Sequence, residues 1–235
     1  MAILLDDTSS GRDETAASTI TVSHICTGQN LILVAFVASR DNPNDGADPT
    51  GVTWNTTESM TLVSNTSDAG QISGNWWYLI NPSTGTHDIV ATWSSDKDQR
   101  LLISHSYTGA LQTGQPNASG GRQNGNDDAT ADKTVDVTTT VANCMIVGAV
   151  GRIFNSIPTV SPHAAQVTLD GGASLQGFSA DGIQVAVGTN TMTWNSGWQF
   201  DSDVMRNIAI APIPDSPSFA TNNLRPRVFA PGISR

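Results

Sequence analysis

The chain has 235 residues, and its formal net charge of −10 comes almost entirely from aspartate, since glutamate and lysine each occur only twice. A protein this acidic repels phosphate backbones, so we expect no direct nucleic-acid binding. The longest apolar run, residues 31–38, is far shorter than a membrane span, and the apolar start at Met1–Leu5 is too short for a signal peptide. We therefore expect the protein to be synthesised in a cytoplasm and not to associate with a membrane.

Short segments rich in β-branched residues recur along the whole chain, and Gly, Asn, Asp or Pro separates them. Strands of this length and spacing are typical of antiparallel sandwiches and barrels. The sequence therefore predicts an all-β fold, an antiparallel β-sandwich of jelly-roll type. The predicted strands are, in chain order, 19–25, 31–38, 52–55, 60–64, 75–80, 88–93, 101–107, 134–141, 145–150, 166–169, 183–187, 190–194 and 207–213.

The residue patterns of three of these strands also predict which of their faces are covered. Residues 31–38 and 145–150 are continuously apolar and should be central strands covered on both faces, whereas residues 134–138 alternate and should have one wet face. Cys26 and Cys144 each lie beside such an apolar run. We interpret them as two buried, reduced thiols; a single disulfide is the alternative and would require an oxidising compartment.

Four short patterns occur in the same order in both halves of the chain. Either the chain contains an internal duplication, or the matches arise by chance in a sequence rich in Thr and Val. A true duplication predicts two interleaved four-strand keys that close one jelly roll. The matching pairs are residues 19–22 with 134–137, residues 30–35 with 143–148, Gly85-Thr86 and Thr92-Trp93 with Gly188-Thr189 and Thr193-Trp194, and residues 100–103 with 206–209.

Residues 112–133 contain almost nothing apolar. They predict either a long crossover between the two keys or an exposed functional loop.

The last 24 residues differ in composition from the rest of the chain. Residues 212–235 contain five of the eleven prolines and carry a charge of +2, on a body of −12. Because a Pro-rich segment cannot join the interior of a sheet, we predict a single sandwich domain, residues 1–211, followed by an extended basic C-terminal arm, residues 212–235. A disordered terminus is the alternative. As an arm, the segment would lie along an acidic neighbouring subunit, with its contact residues at Arg225, Arg227, Phe229 and Ile233.

No familiar catalytic or cofactor motif occurs in the sequence: it lacks G-x-S-x-G, P-loop, H-E-x-x-H and G-x-G-x-x-G patterns. His105 lies between Ser104 and Ser106, but alternation in a strand points both serines away from it. Residues 41–48 superficially resemble a calcium loop, yet Pro43 stands at a ligand position and no acidic residue closes the loop. We therefore expect no enzyme, no cofactor and no metal.

Tryptophan is the aromatic residue that occurs most often in the predicted strands. Trp76 and Trp77 are consecutive, so in a strand their rings point to opposite faces. We expect one ring in the core and the other partly exposed, as a protein-interface anchor or a platform for a sugar. Trp54, Trp93 and Trp194 are predicted to pack in the core.

Several of these strand and turn patterns together carry a family resemblance. They are residues 30–37, 78–93, 106–110, 143–148, 191–194 and 225–232, and they span most of residues 19–235. In these patterns the chain resembles jelly-roll and β-sandwich structural proteins of tailed bacteriophages. The resemblance implies a virion component such as a capsid decoration protein, a head fibre or a tail-associated subunit, and it carries over no catalytic residues.

The resemblance and the arm lead to one expected function. We expect a phage capsid decoration or cement protein of the virion, assembled in the host cytoplasm, which forms a homo-oligomer and binds the major capsid protein or other virion subunits. A carbohydrate-binding module of a phage fibre or spike that recognises host glycans is the alternative. A polysaccharide depolymerase is the third interpretation.

Overall fold

A computed structural model describes residues 1–41, 46–63, 72–124, 132–153, 157–170, 174–195 and 203–215. These residues form seventeen β-strands and no helix, which confirms the all-β prediction. The strands of the first half are β1 (Leu4–Asp13), β2 (Ala17–Cys26), β3 (Ile32–Arg40), β4 (Gly51–Trp54), β5 (Glu58–Ser59), β6 (Thr61–Leu62), β7 (Ile72–Ile80), β8 (Gly85–Lys97) and β9 (Gln99–Thr108). Those of the second half are β10 (Ala118–Asn124), β11 (Lys133–Thr139), β12 (Cys144–Ile153), β13 (Thr159–Ser161), β14 (Ala164–Leu169), β15 (Leu175–Gln184), β16 (Gly188–Asn195) and β17 (Asp203–Ile210).

Each half of the chain forms its own pair of antiparallel sheets. The sheet orders are β1-β9-β3-β7-β6 and β2-β8-β4-β5 in the first half, and β10-β17-β12-β15-β14 and β11-β16-β13 in the second. In both halves most successive strands alternate between the two sheets, with β4–β5, β6–β7 and β14–β15 as the exceptions, and the strand orders are those of a jelly roll. The predicted fold class is therefore confirmed. The arrangement differs from the predicted one, because each half has enough strands to close a jelly roll by itself. Two jelly rolls follow each other along the chain, and none of the sheets in the described residues combines strands of both halves.

The patterns that recur in the sequence fall on equivalent strands of the two jelly rolls. Asn30 precedes β3 and Asn143 precedes β12, and both have a positive φ, of 53° and 59°. Gly85 and Gly188 begin β8 and β16, again both at positive φ. The Thr19–Thr92 pair has its counterpart in the pair formed by Thr134 and Thr193. These shared positions favour an internal duplication over chance.

The fourth matching pair of patterns is out of register. Residues 100–103 and 206–209 lie on the equivalent strands β9 and β17. Arg100, however, pairs with Ser39, nine residues after Asn30, whereas Arg206 pairs with Ala149, six residues after Asn143. The two arginines therefore do not occupy equivalent positions.

The two five-stranded sheets pack face to face, so the molecule has four sheet layers and three apolar cores. A central core lies between the five-stranded sheets and includes Val34, Phe36, Tyr107, Val147 and Ile208. Each jelly roll also has its own core, between its five-stranded sheet and its smaller outer sheet. Strands β3 and β12 are consequently buried on both faces, as predicted. Strand β11 alternates between buried and exposed positions, also as predicted.

Directional polar contacts cross the central core and fix one jelly roll against the other. Each joins a side chain of the first half to a group of the second, deep between the sheets. Because a buried polar group must keep its hydrogen bond, these contacts define one relative position of the two halves. They are His105 Nε2 with Ser179 Oγ at 3.0 Å, Tyr107 Oη donating to Asp181 Oδ2 at 2.8 Å, and Trp76 Nε1 donating to the Arg206 carbonyl at 2.9 Å.

Strands β1 and β10, which the sequence did not predict, are edge strands of the five-stranded sheets. Both consist mainly of polar and small residues, so they lack the alternation that identifies a strand. Strand β10 falls inside residues 112–133, the predicted crossover or loop. Its Gly120 lies so close to the next strand that a Cβ there would be 1.9 Å from the Asp136 carbonyl oxygen. That close approach explains why a small residue stands at this position.

The two cysteines are free and buried, which confirms the predicted reduced thiols. Cys26 lies in the core of the first jelly roll and Cys144 in that of the second, so they are not disulfide partners. Burial raises the pKa of the Cys26 thiol to about 12 and that of Cys144 to about 11. Both therefore stay protonated and unreactive at neutral pH.

Candidate functional site at the chain termini

The predicted contact residues of the arm, Arg225, Arg227, Phe229 and Ile233, lie outside the described residues, which end at Asp215. Their role and the domain boundary at residue 211 remain predictions.

The structure buries both members of the tryptophan pair. Trp76 is 1% exposed and points into the central core, while Trp77 is 7% exposed and points into the core of the first jelly roll. The prediction of opposite faces is confirmed, but the expectation that one ring would be partly exposed is wrong. The reason is that β7 belongs to a five-stranded sheet that is covered on both sides. Neither ring is available to a sugar or to another protein.

A buried cluster around His24 resembles a catalytic arrangement in composition but not in geometry. Ser9 Oγ lies 2.7 Å from His24 Nδ1, and Asp7 Oδ2 lies 3.6 Å from the same nitrogen. A nucleophile and an orienting carboxylate must contact opposite nitrogens of the ring. Burial also lowers the pKa of His24 and keeps the ring out of reach of a substrate. The cluster is therefore structural.

The ends of the segment that resembles a calcium loop are occupied by protein contacts. Asp41 accepts a hydrogen bond from Lys97 Nζ at 3.2 Å, and Asp48 accepts one from Asn75 Nδ2 at 2.7 Å. The intervening residues 42–45 lie outside the described residues. No group of three or more His, Cys, Asp or Glu residues in the described part of the chain could hold a metal ion.

Both ends of the described chain meet at one end of the molecule. After β17 the chain runs back along the linker between the jelly rolls, where Pro212 bridges to Ala110 and the Ile213 amide donates to the Gly109 carbonyl at 3.0 Å. The N-terminal amine of Met1 donates to the Ile213 carbonyl at 2.9 Å and pairs with the Asp215 carboxylate. This hydrogen bond lowers the pKa of Asp215. The start of the C-terminal segment is therefore fixed at the N-terminus.

Exposed apolar side chains surround this junction. They come from the N-terminal residues, from the turn before β12, and from the end of β15 and the turn that follows it. Each is between 40% and 70% exposed, and the Asn143 amide, which donates to the Val185 carbonyl at 3.3 Å, joins the turn to the hairpin. We call this set the terminal apolar surface: Met1, Leu4, Val141, Ile183 and Val185.

Two adjoining hollows deepen the terminal apolar surface. One, of about 220 Å³, is lined by residues that include Leu111, Val141 and Ile213, and the other, of about 340 Å³, by residues that include Leu4 and Ile183. Met1, Asn143 and Asp215 line both. Apolar side chains form much of the lining of both hollows, and the ion pair between the Met1 amine and Asp215 lies between them. This surface is suited to bind apolar side chains.

The two jelly rolls differ at this hairpin, which provides an internal comparison. In the first jelly roll the equivalent β7–β8 turn is Asn81-Pro82-Ser83-Thr84, and Ser83 accepts from Trp54 Nε1 and donates its amide to Glu58. In the second, the β15–β16 turn is Val185-Ala186-Val187, and all three residues are exposed. An exposed apolar turn is not required by the jelly roll, since the first repeat does without it.

Sequence reasoning missed the terminal apolar surface. The available signal was the apolar run at residues 183–187, which it assigned to a strand. Strand β15 instead ends at Gln184, and Val185 to Val187 form the turn. An apolar run with strand periodicity looks the same whether its side chains enter a core or remain exposed.

No protein-family model matches the sequence, and no curated protein matches it. Among solved structures, the crystal structure of Cucumber Necrosis Virus aligns over 90% of this chain and 90% of that chain, with 9% sequence identity and a TM-score of 0.29. A TM-score this low does not establish a shared fold. The jelly-roll description follows from the strand pairing alone. No helix in the described residues is long and apolar enough to cross a membrane.

Proposed function

We propose that the protein is a structural component of a bacteriophage virion, a decoration or cement protein that binds the capsid shell and neighbouring copies of itself. The terminal apolar surface carries the proposal. Exposed apolar clusters of this kind mark sites of protein association, and this one adjoins the point where the C-terminal segment leaves the body. The described residues supply a stiff four-layer body for such a role, and the proposed arm supplies an extended contact.

Repetition on a lattice explains how such a protein would bind strongly. Each subunit contributes one modest apolar contact and one basic arm to an acidic neighbour, and many copies engage together on a shell. Affinity then arises from the number of simultaneous contacts, and no deep pocket is needed.

The direct test is purification of native particles with antibodies against this chain. We expect the protein in purified heads at a fixed ratio to the major capsid protein, and a cryo-electron map should show it on the outside of the shell. Absence from heads and tails alike would overturn the proposal.

The carbohydrate-binding alternative is tested by a glycan array on the same purified protein. Its predicted platform was Trp76 or Trp77, and all five tryptophans that the structure describes are buried. We expect no specific glycan binding. Strong binding to one host glycan would instead identify a receptor-binding module.

Deleting residues 216–235 tests the arm. Asp215 and its contact with the N-terminal amine remain, so the body should keep its stability. We expect at least about tenfold weaker binding to heads in a sedimentation assay, because an anchor residue at an interface contributes that much or more. The variant with Arg225→Gln and Arg227→Gln is the matched test of charge, and it should mainly reduce the dependence of binding on salt. Unchanged binding after the deletion would exclude the arm.

A further inference from the structure

We propose that the terminal apolar surface receives Phe229 and Ile233 from the C-terminal segment of a second copy of the chain. The inference rests on the proposed function, because it names the contact that joins neighbouring copies on the shell. It assigns the receiving site to described residues and the donated anchors to the segment that follows them.

The receiving surface has the properties of an interface that is exposed in a single copy. Val185 is 70% exposed although it is apolar, and the neighbouring Ile183 and Leu4 are exposed around a hollow of about 340 Å³. A hollow of this size accommodates one large side chain, with room for part of a second. The equivalent turn of the first jelly roll is polar and held by Trp54 and Glu58, so this apolar character is specific to the second repeat.

The C-terminal segment complements this surface in composition and in charge. Residues 216–235 contain Phe229 and Ile233 as large apolar groups near their end, together with three arginines and no acidic residue. The rest of the chain carries 21 acidic residues in a protein of net charge −10. The segment is therefore attracted to the body of any copy, and its apolar residues select where it binds.

The length of the C-terminal segment favours a contact with a neighbouring copy over one with the chain's own body. Phe229 is 14 residues beyond Asp215, which lies at the rim of the receiving surface. A Pro-rich segment at about 3.1 Å per residue spans about 43 Å over that distance. A folded body of this length has a radius of gyration of about 17 Å and is about 44 Å across. An extended segment thus reaches from its exit on one copy to the same surface on the adjacent copy.

An own-chain contact would require the segment to turn back at once. Pro214 and Pro217 flank its start. Each proline biases the residue before it toward an extended conformation, which disfavours an immediate reversal of the chain. Donation to a neighbour is a head-to-tail contact, which closes into a ring or follows the symmetry of the shell.

Complementation between two full-length variants tests the proposal. Ile183→Asp places a charge at the hollow of about 340 Å³, and Ile183 is 41% exposed, so the subunit should fold. Phe229→Asp removes the anchor and leaves the surface intact. Ile157→Asp is the matched control, because Ile157 is 56% exposed and precedes β13, at the opposite end of β16 from the apolar turn.

Analytical ultracentrifugation over a concentration series gives the readout, with thermal unfolding to verify that every variant folds. The wild type and Ile157→Asp should form the same oligomer. Each of the other two variants alone should associate at least about tenfold more weakly. Their equimolar mixture should form 1:1 dimers and nothing larger, since one copy donates a segment and the other receives it.

Several results would overturn the proposal. A mixture that stays monomeric indicates that the segment binds its own body or another protein. A wild type that is monomeric at every concentration, or a variant that assembles like the wild type, excludes the exchange outright. Binding to heads separates this inference from the proposed function: variants that bind heads normally without complementing each other refute only the exchange. Complementation without binding to heads refutes only the virion role.

Discussion

At the scale of the single residue, His105 links the stability of the protein to pH. Burial, and secondarily the charge of His24, lowers the pKa of His105 to about 3, while the unfolded chain keeps a value of about 6.5. Between these values the unfolded state binds the extra proton. The contribution of His105 to the free energy of unfolding is therefore fully present well above pH 6.5 and decreases as the pH falls toward 3. In urea unfolding, His105 should account for a loss of about 2 kcal/mol between pH 6.5 and pH 5.

The variant His105→Gln tests that assignment. Glutamine can keep hydrogen bonds to Thr8 and Ser179, the two partners of the ring, but it does not titrate. Its stability should therefore depend less on pH than that of the wild type. Parallel curves for His105→Gln and the wild type would show that the proton binds elsewhere.

The two adjacent tryptophans provide a second test at the residue scale. Trp76→Phe removes a buried hydrogen bond to the Arg206 carbonyl and should lower the free energy of unfolding by about 1–3 kcal/mol beyond the packing change. Trp77→Phe is the matched control, since the Trp77 Nε1 group has no hydrogen-bond partner among the described residues. Equal losses in denaturant unfolding would mean that the Trp76 hydrogen bond contributes nothing.

At the scale of the element, the turns before β3 and β12 test the repeat. Asn30 and Asn143 both adopt the left-handed conformation, which a β-branched residue tolerates poorly. Asn30→Val and Asn143→Val should each destabilise the protein by about 1–2 kcal/mol, whereas the glycine variants should be nearly neutral. Thermal unfolding of the four variants gives the comparison. A difference between the two valine variants of more than about 1 kcal/mol would show that the turns are not energetically equivalent.

At the scale of the whole molecule, the central core should join the two jelly rolls into one cooperative unit. Phe36→Ala opens a cavity between the five-stranded sheets and should lower stability by about 3–5 kcal/mol. Val137→Ala weakens only the core of the second jelly roll. In calorimetry both variants should keep one transition, shifted to lower temperature, because neither half can unfold without exposing the shared core. Two separate transitions in the wild type would contradict this expectation.

The sequence by itself determined the central strands and their repetition. Apolar runs at β3 and β12, the alternation in β11 and the paired turn residues at Asn30 and Asn143 follow from local periodicity and backbone preference. Such signals lie within a few residues of each other, so the chain alone reveals them. They also indicated the buried thiols of Cys26 and Cys144, which lie beside those runs.

Only the tertiary structure decided where the polar edge strands lie and that both rings of the tryptophan pair are buried. The polar edge strands β1 and β10 take their place through partners far along the chain, and stacking of the two five-stranded sheets buries Trp76 and Trp77 together. The terminal apolar surface combines Met1, Val141 and Val185, which no local pattern connects. Burial depends on what packs above a strand, and that is a property of contacts between distant segments.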